Sequence, residues 1–343
     1  MIIDREGWTS RCRAVVLPAL ACWSVIGCGA AGTADPADLG ASRPVDARSE
    51  LRSYVEDAAG ATASRYGVTD DRGQVLDAVK IISASETGGF IGVYHTFREA
   101  AGTFDVHLAT SSNLLDWTWR VRLADQASQP TIKPASDGGY VVAWEQEPPN
   151  HLRFAYYPTW TDLLAGAAQK TLDAPLSLST CAEGTPNLYS ASRTFLDVGF
   201  HFYDDCDLDR QAHGTTDWTA WAAAERPSLE QSVRTLGVMG GVGDRDIISF
   251  RGFDFTLIEG QVIKGDWSTW RVFLYDDATG EADQLDIRTE AGSTAFTNPT
   301  VERIEIGGQM AIVVTLFVPS EGARGGEAGQ LIYYRTYEPA GPE

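Results

Sequence analysis

The chain has 343 residues, 43% of them hydrophobic, enough for one large domain or two ordinary ones with a sizeable core. Its 27 basic and 47 acidic side chains leave a net charge of −20, a field that repels nucleic acid and anionic membrane surfaces, and no basic patch offsets it. Nucleic-acid partners are therefore excluded. The five histidines show neither HExxH nor paired spacing, and no Gly-Lys-Ser/Thr phosphate loop occurs, so zinc and nucleotide chemistry are not expected and no cofactor is assigned.

Residues 1–27 read as an export signal: Arg5, Arg11 and Arg13 precede the apolar run "AVVLPALACWSVI", which is shorter than the ~20 residues of a membrane-spanning helix. The stretch "VIGC" resembles the bacterial lipobox, which implies cleavage before Cys28 and a lipid on its sulfur. An ordinary signal peptide or a short anchor is the plainer reading. By the same resemblance, Gly29 lacks the acidic signal for inner-membrane retention, so the expected location is the bacterial cell envelope, at the outer membrane or cell surface. The membrane would then be touched only through the N-terminal lipid.

Residues 28–50 are rich in Ala, Gly, Pro and Asp and read as a flexible tether. Residues 51–75 are an N-terminal extension of ambiguous pattern, with a short helix at the domain edge as one reading. Beyond it, short runs rich in Val, Ile, Phe, Tyr and Thr recur between Gly, Asp and Pro turns: "GGFIGVYHTF", "GGYVVAWEQ", "DVGFHFYDD", "FDFTLIEG", "WRVFLYD", "MAIVVTLFV" and "GQLIYYRTY". Strands dominate.

An internal repeat organises them. Similar strand openings occur at "LDAVKI", "SQPTIK", "GTPNLY", "DRDIIS" and "TNPTVE", placing Asp77, Gln129, Thr185, Arg245 and Asn298 at separations of 52, 56, 60 and 53 residues. A period of roughly 50 residues with about four strands per unit is that of a propeller blade. Five units fill residues 76–338, so the expected fold is all-β, a five-bladed β-propeller acting as a monomer. In such a wheel the first strand of each blade lines the central channel, and side chains near its start converge on the axis. Polar residues there form either a shared site or five separate strand-initiating turns.

Only Cys181 and Cys206 remain in the folded part. In an oxidising envelope they read as one disulfide closing a loop of about 25 residues, worth about 3 kcal/mol on a chain-entropy account, or else as two buried thiols. The run "YDDCDLDR" offers Asp204, Asp205, Asp207 and Asp209 beside His201. It is either a solvated turn or a structural calcium site without the helix-loop-helix pattern.

"ATSSNLLDWTW", residues 109–119, resembles the blade ending of five-bladed glycoside hydrolases, the group of families 43, 32 and 68, with weaker copies at "YPTWTDLLAG" and "GTTDWTAW". "CAEGTPNLYS" is similar to the opening where family 43 carries its general acid. The resemblance implies an oligo- or polysaccharide partner, Asp77 as general base and Glu183 as general acid. The carboxylate that would tune the acid is replaced by Gln129, and Thr185 is inserted between Gly184 and Pro186. Inverting hydrolysis needs an acid and a base roughly 6.5–9.5 Å apart across the sugar. Gln129, Trp144, Arg245, Asp246 and Asn298 are candidate substrate contacts. Arg245 and Asp246 read equally as an ion pair bracing the axis, and Trp144 as a residue packed between blades. Two functions follow from one wheel: a glycoside hydrolase, or a non-catalytic glycan-binding or protein-interaction propeller.

Overall fold

The computed structural model describes residues 44–339 apart from 85, 87 and 244. The expected signal segment, Cys28 and most of the tether lie outside the described residues. Helix α1 (Pro44–Glu56) opens on a proline, whose fixed φ and missing N–H suit a first helical position. It begins inside the segment expected to be tether. Ala47, Leu51 and Val55, spaced four apart, form a buried stripe against Phe250, Phe255, Leu285 and Tyr337, which is why the chain is ordered here despite its low apolar content. Glu50 adds an ion pair to Arg251 at 2.9 Å.

The rest is five four-stranded antiparallel sheets. Strand β1 (Ala63–Arg65) precedes the first complete blade, β2 (Asp77–Ala84), β3 (Gly89–Arg98), β4 (Thr103–Ser111) and β5 (Thr118–Asp125). The second comprises β6 (Ala127–Pro134), β7 (Tyr140–Gln146) and β8 (His151–Tyr157), then the short helix α2 (Trp160–Leu164) and β9 (Lys170–Asp173). The third is β10 (Glu183–Ala191), β11 (Leu196–Asp204), β12 (Leu208–Thr216) and β13 (Trp221–Glu225), followed by helix α3 (Pro227–Arg234). The fourth is β14 (Arg245–Phe250), β15 (Phe253–Gln261), β16 (Trp270–Asp276) and β17 (Glu281–Gln284). The fifth has β18 (Thr297–Ile306), β19 (Gln309–Val318) and β20 (Gly329–Tyr337) from the C-terminal part, and β1 completes it by pairing with β20, Ser64 opposite Tyr333. The propeller therefore starts earlier than residue 76, and the N-terminal strand closes the ring and covers an edge that would otherwise stay open.

Burial follows position in the blade. The second strands are buried on both faces, as β7 shows, because each is pressed between two neighbouring blades. Tyr140, Val142 and Trp144 point to a cluster with Ile91 and Val93 of the first blade, whereas Val141 and Ala143 meet Val198 and Phe200 of the third. Outer strands such as β5 and β9 are only half-buried and alternate. The blade-ending motif is a turn: Asn113 Oδ1 accepts from the Leu115 and Asp116 amides, as Asp217 Oδ1 does from Thr219 and Ala220. Its tryptophan, Trp117, is buried against Gly92, where a Cβ would lie 2.8 Å from the ring.

Four inner strands carry a bulge just after they begin. Ala78, Gln129, Thr185 and Asn298 have φ of 51°, 48°, 47° and 50°, and the pairing register shifts across each. The bulge turns the following side chains toward the hub. Strand β14 has no such shift, its pairing running unbroken from Arg245 opposite Ile258. The repeat is thus displaced by one residue in the first blade: the residue matching Gln129, Thr185 and Asn298 is Ala78, with Asp77 just ahead of it.

Candidate functional site

The hub has two ends, one where inner strands begin and one where they finish. At the starting end the second strand of a blade reaches across to the bulge of the next. His95 Nδ1 accepts from the Gln129 amide at 3.0 Å, Glu145 Oε1 from the Thr185 amide at 2.5 Å, and Glu259 Oε2 from the Asn298 amide at 2.6 Å. These three residues were not among the sequence candidates. Each is an ionisable residue in a mostly apolar stretch of a second strand ("VYHTF", "VAWEQ", "TLIEG"), a signal visible once the blades are aligned.

Asp77 sits in this ring. Its Oδ1 accepts from Asn298 Nδ2 at 3.0 Å, and its Oδ2 lies 3.3 Å from His95 Nε2. Because His95 Nδ1 is an acceptor, the ring proton is on Nε2 and points at Asp77. The Asp77 side chain keeps 22% of its surface exposed. Beside it, Phe104 packs edge-on to His95 at 4.7 Å and to Phe97 at 5.1 Å, and Phe97 is 54% exposed. An acceptor carboxylate, an amide and an aromatic face are the groups that recognise a sugar. Below them the hub narrows to a cavity of about 20 Å³ among Gln129, Thr185 and Asn298, room for about one water.

Glu183 is elsewhere. Its residue is 1% exposed, and Oε1 accepts from the backbone amides of Ser177, Leu178 and Ser179 at 2.6, 2.5 and 3.2 Å. The carboxylate holds the loop that crosses from the second blade to the third and, among the described residues, shares no hydrogen-bond partner with Asp77. The Cys181–Cys206 disulfide is formed, with Cα atoms 5.7 Å apart, and ties this segment to the turn between β11 and β12. In that turn Asp204 pairs with Arg210 and Asp207 with Lys264.

The remaining candidates divide. Gln129 and Asn298 are at the hub. Trp144 is not: it is buried between the first two blades with its Nε1 donating to Gln146 at 2.9 Å, a packing role. Asp246 lies in the hub but is buried in an ion pair with Lys80 at 2.5 Å, so it braces the axis instead of facing a ligand. The partner expected for it was Arg245; that side chain lies outside the described part.

No family model and no curated protein matches the chain. Solved structures do. The chain is similar to BT0996 as seen in an RGII complex (TM-score 0.55, 11% identity, 88% of this chain and 97% of that one). It is also similar to the α-L-arabinofuranosidase PaAbf62A from Podospora anserina in complex with cellotriose (TM-score 0.51, 11% identity, 82% and 97%). A thermostable family-43 glycoside hydrolase gives a TM-score of 0.50 at 10% identity over 84% and 94%. The fold is thus the five-bladed propeller found in glycoside hydrolases. At these identities the likeness is one of fold.

Proposed function

We propose that this protein is a carbohydrate-binding propeller that does not hydrolyse glycosidic bonds, with a sugar held at the starting end of the hub against Asp77, Asn298 and Phe97. One observation carries the reading: the Glu183 side chain is enclosed and its Oε1 is held by three backbone amides of one loop, so it does not reach a leaving oxygen. Gln129 at the second position agrees with this. The shared fold with carbohydrate-active enzymes supports sugar as the ligand class. In the same reading the chain is exported as a lipoprotein through Cys28, on the strength of its N-terminal sequence.

The test is a glycan panel read by melting temperature, with aryl-glycoside and polysaccharide turnover measured in parallel. A bound glycan at 100 times its Kd stabilises by about 2.7 kcal/mol. The expected result is a melting shift with no turnover, and a shift lost in Asp77→Ala. Turnover that Glu183→Gln abolishes would overturn the proposal, as would a panel with no binder.

A further inference from the structure

At the finishing ends of the inner strands, a second cavity of about 630 Å³ opens along the third and fourth blades. That is within the roughly 300–1,000 Å³ of small-molecule sites. One wall is aromatic: Tyr189 and His213 stack with centroids 5.9 Å apart and planes 17° from parallel. The Tyr189 hydroxyl accepts from Arg226 at 2.8 Å, and Arg226 is in turn paired with Asp277.

The acidic groups around this cavity are already engaged. Asp277 accepts from Arg226 and, at 2.8 Å, from Thr256; Asp254 accepts from Ser249; Glu302 Oε2 meets Lys80 Nζ at 2.9 Å. Lys133, near the end of β6, differs. Its half-buried ammonium lines the cavity and has no hydrogen-bond partner among the described residues. Burial, reinforced by the nearby Lys80 charge, holds its pKa below the ordinary lysine value. Three N–H donors therefore face a cavity in which each of these carboxylates already has a donor of its own.

We propose that this cavity is a second binding site, taking a carboxylate-bearing sugar whose carboxylate rests on Lys133 and whose ring lies along the Tyr189–His213 wall. A monoanion fits because, among the described residues lining the cavity, Lys133 offers its ammonium without a hydrogen-bond partner of its own; a phosphate dianion would bring a second charge beside Glu302, Asp254 and Asp277. The site is at the opposite end of the hub from Asp77 and stands or falls independently of the first.

Calorimetry on the whole protein with galacturonate, galactose, acetate and glucose 6-phosphate tests it. A charge-assisted hydrogen bond is worth about 1.5–3 kcal/mol, so galacturonate is expected to bind at least about tenfold more tightly than galactose. Lys133→Met is expected to erase that preference. In the wild-type protein, which needs no variant to fold, galacturonate and not galactose is expected to slow reductive methylation of Lys133, read by mass spectrometry. Equal binding of acid and neutral sugar, a preference that survives Lys133→Met, or unprotected Lys133 would overturn the proposal. Acetate or glucose 6-phosphate binding as tightly as galacturonate would overturn the ligand class.

Discussion

Lys80 on β2 and Asp246 on β14 meet at 2.5 Å inside the hub, joining the first and fourth blades across 166 residues of chain. Both are buried. Asp246 also accepts from Asn187 Nδ2 at 2.6 Å and the Val301 amide at 2.9 Å, while Lys80 donates to the Val301 carbonyl at 2.9 Å. Blades one, three, four and five are thereby tied at one point. Burial alone would lower the pKa of Lys80, but the charges of Asp246 and Glu302 outweigh it and raise the value, so the ammonium stays charged.

Removing one member leaves an uncompensated charge. Lys80→Met or Asp246→Asn is expected to cost about 3–5 kcal/mol in urea unfolding. The double variant Lys80→Met/Asp246→Asn is expected to cost clearly less than the sum, since neither charge of the pair is left stranded. Additive losses would mean that the two side chains contribute separately and that the pair does not hold the hub.

Much of the wheel was legible in the sequence, and for a physical reason: each blade repeats the same sequence of turn, buried strand and turn, so its period survives in the residues. The disulfide was legible from cysteine arithmetic. The ring closure by β1 was not, because three residues, Ala63–Arg65, carry too little pattern to announce a strand. A short helix at the domain edge was one reading of the segment that helix α1 enters, but its start at Pro44 was missed because the buried stripe begins with Ala47, indistinguishable in composition from the alanines of a tether. At the site, the two ends of the resemblance fared differently. Asp77 faces the hub with Asn298, whereas Glu183 stands one residue ahead of Gly184, the position that pairs as Asp77 does, and turns its carboxylate into the loop at residues 177–179. A motif fixes a backbone position; which way a side chain turns depends on which donors lie near it in space. Those donors came from a loop that the motif does not contain.

Glu183 offers a direct contrast between a structural and a catalytic carboxylate. Glu183→Ala leaves three amide donors without an acceptor, each costing about 1–3 kcal/mol when buried, with some recovery if water enters. Glu183→Gln keeps an oxygen in the Oε1 position and is expected to lose less. The measurement is the melting temperature of the two variants beside the wild type. A catalytic acid behaves in the opposite way, since active-site carboxylates are often replaced without loss of stability. Variants as stable as the wild type would therefore return Glu183 to the reactive groups.

Glu327 repeats the device between the fourth and fifth blades, and its titration makes the consequence measurable. Its carboxylate accepts from Thr289 Oγ1 at 2.6 Å, the Ala291 amide at 2.7 Å and Ser293 Oγ at 2.5 Å, fixing the loop that leads into β18. Burial pushes its pKa up, but the hydroxyl and amide donors outweigh burial and hold it below the ordinary glutamate value. A group whose folded pKa is depressed stabilises the fold above its unfolded value, about 4.3 for glutamate, and loses that contribution as pH falls through the folded pKa. At neutral pH, Glu327→Gln is expected to unfold at lower urea than the wild type. As the pH is lowered below about 4, the gap is expected to narrow, because the wild-type carboxylate becomes protonated and the glutamine does not change. The difference between the two proteins isolates this one group from the other carboxylates that titrate alongside it. A gap that stays constant from neutral pH down to about pH 3 would show that Glu327 holds its loop without using its charge.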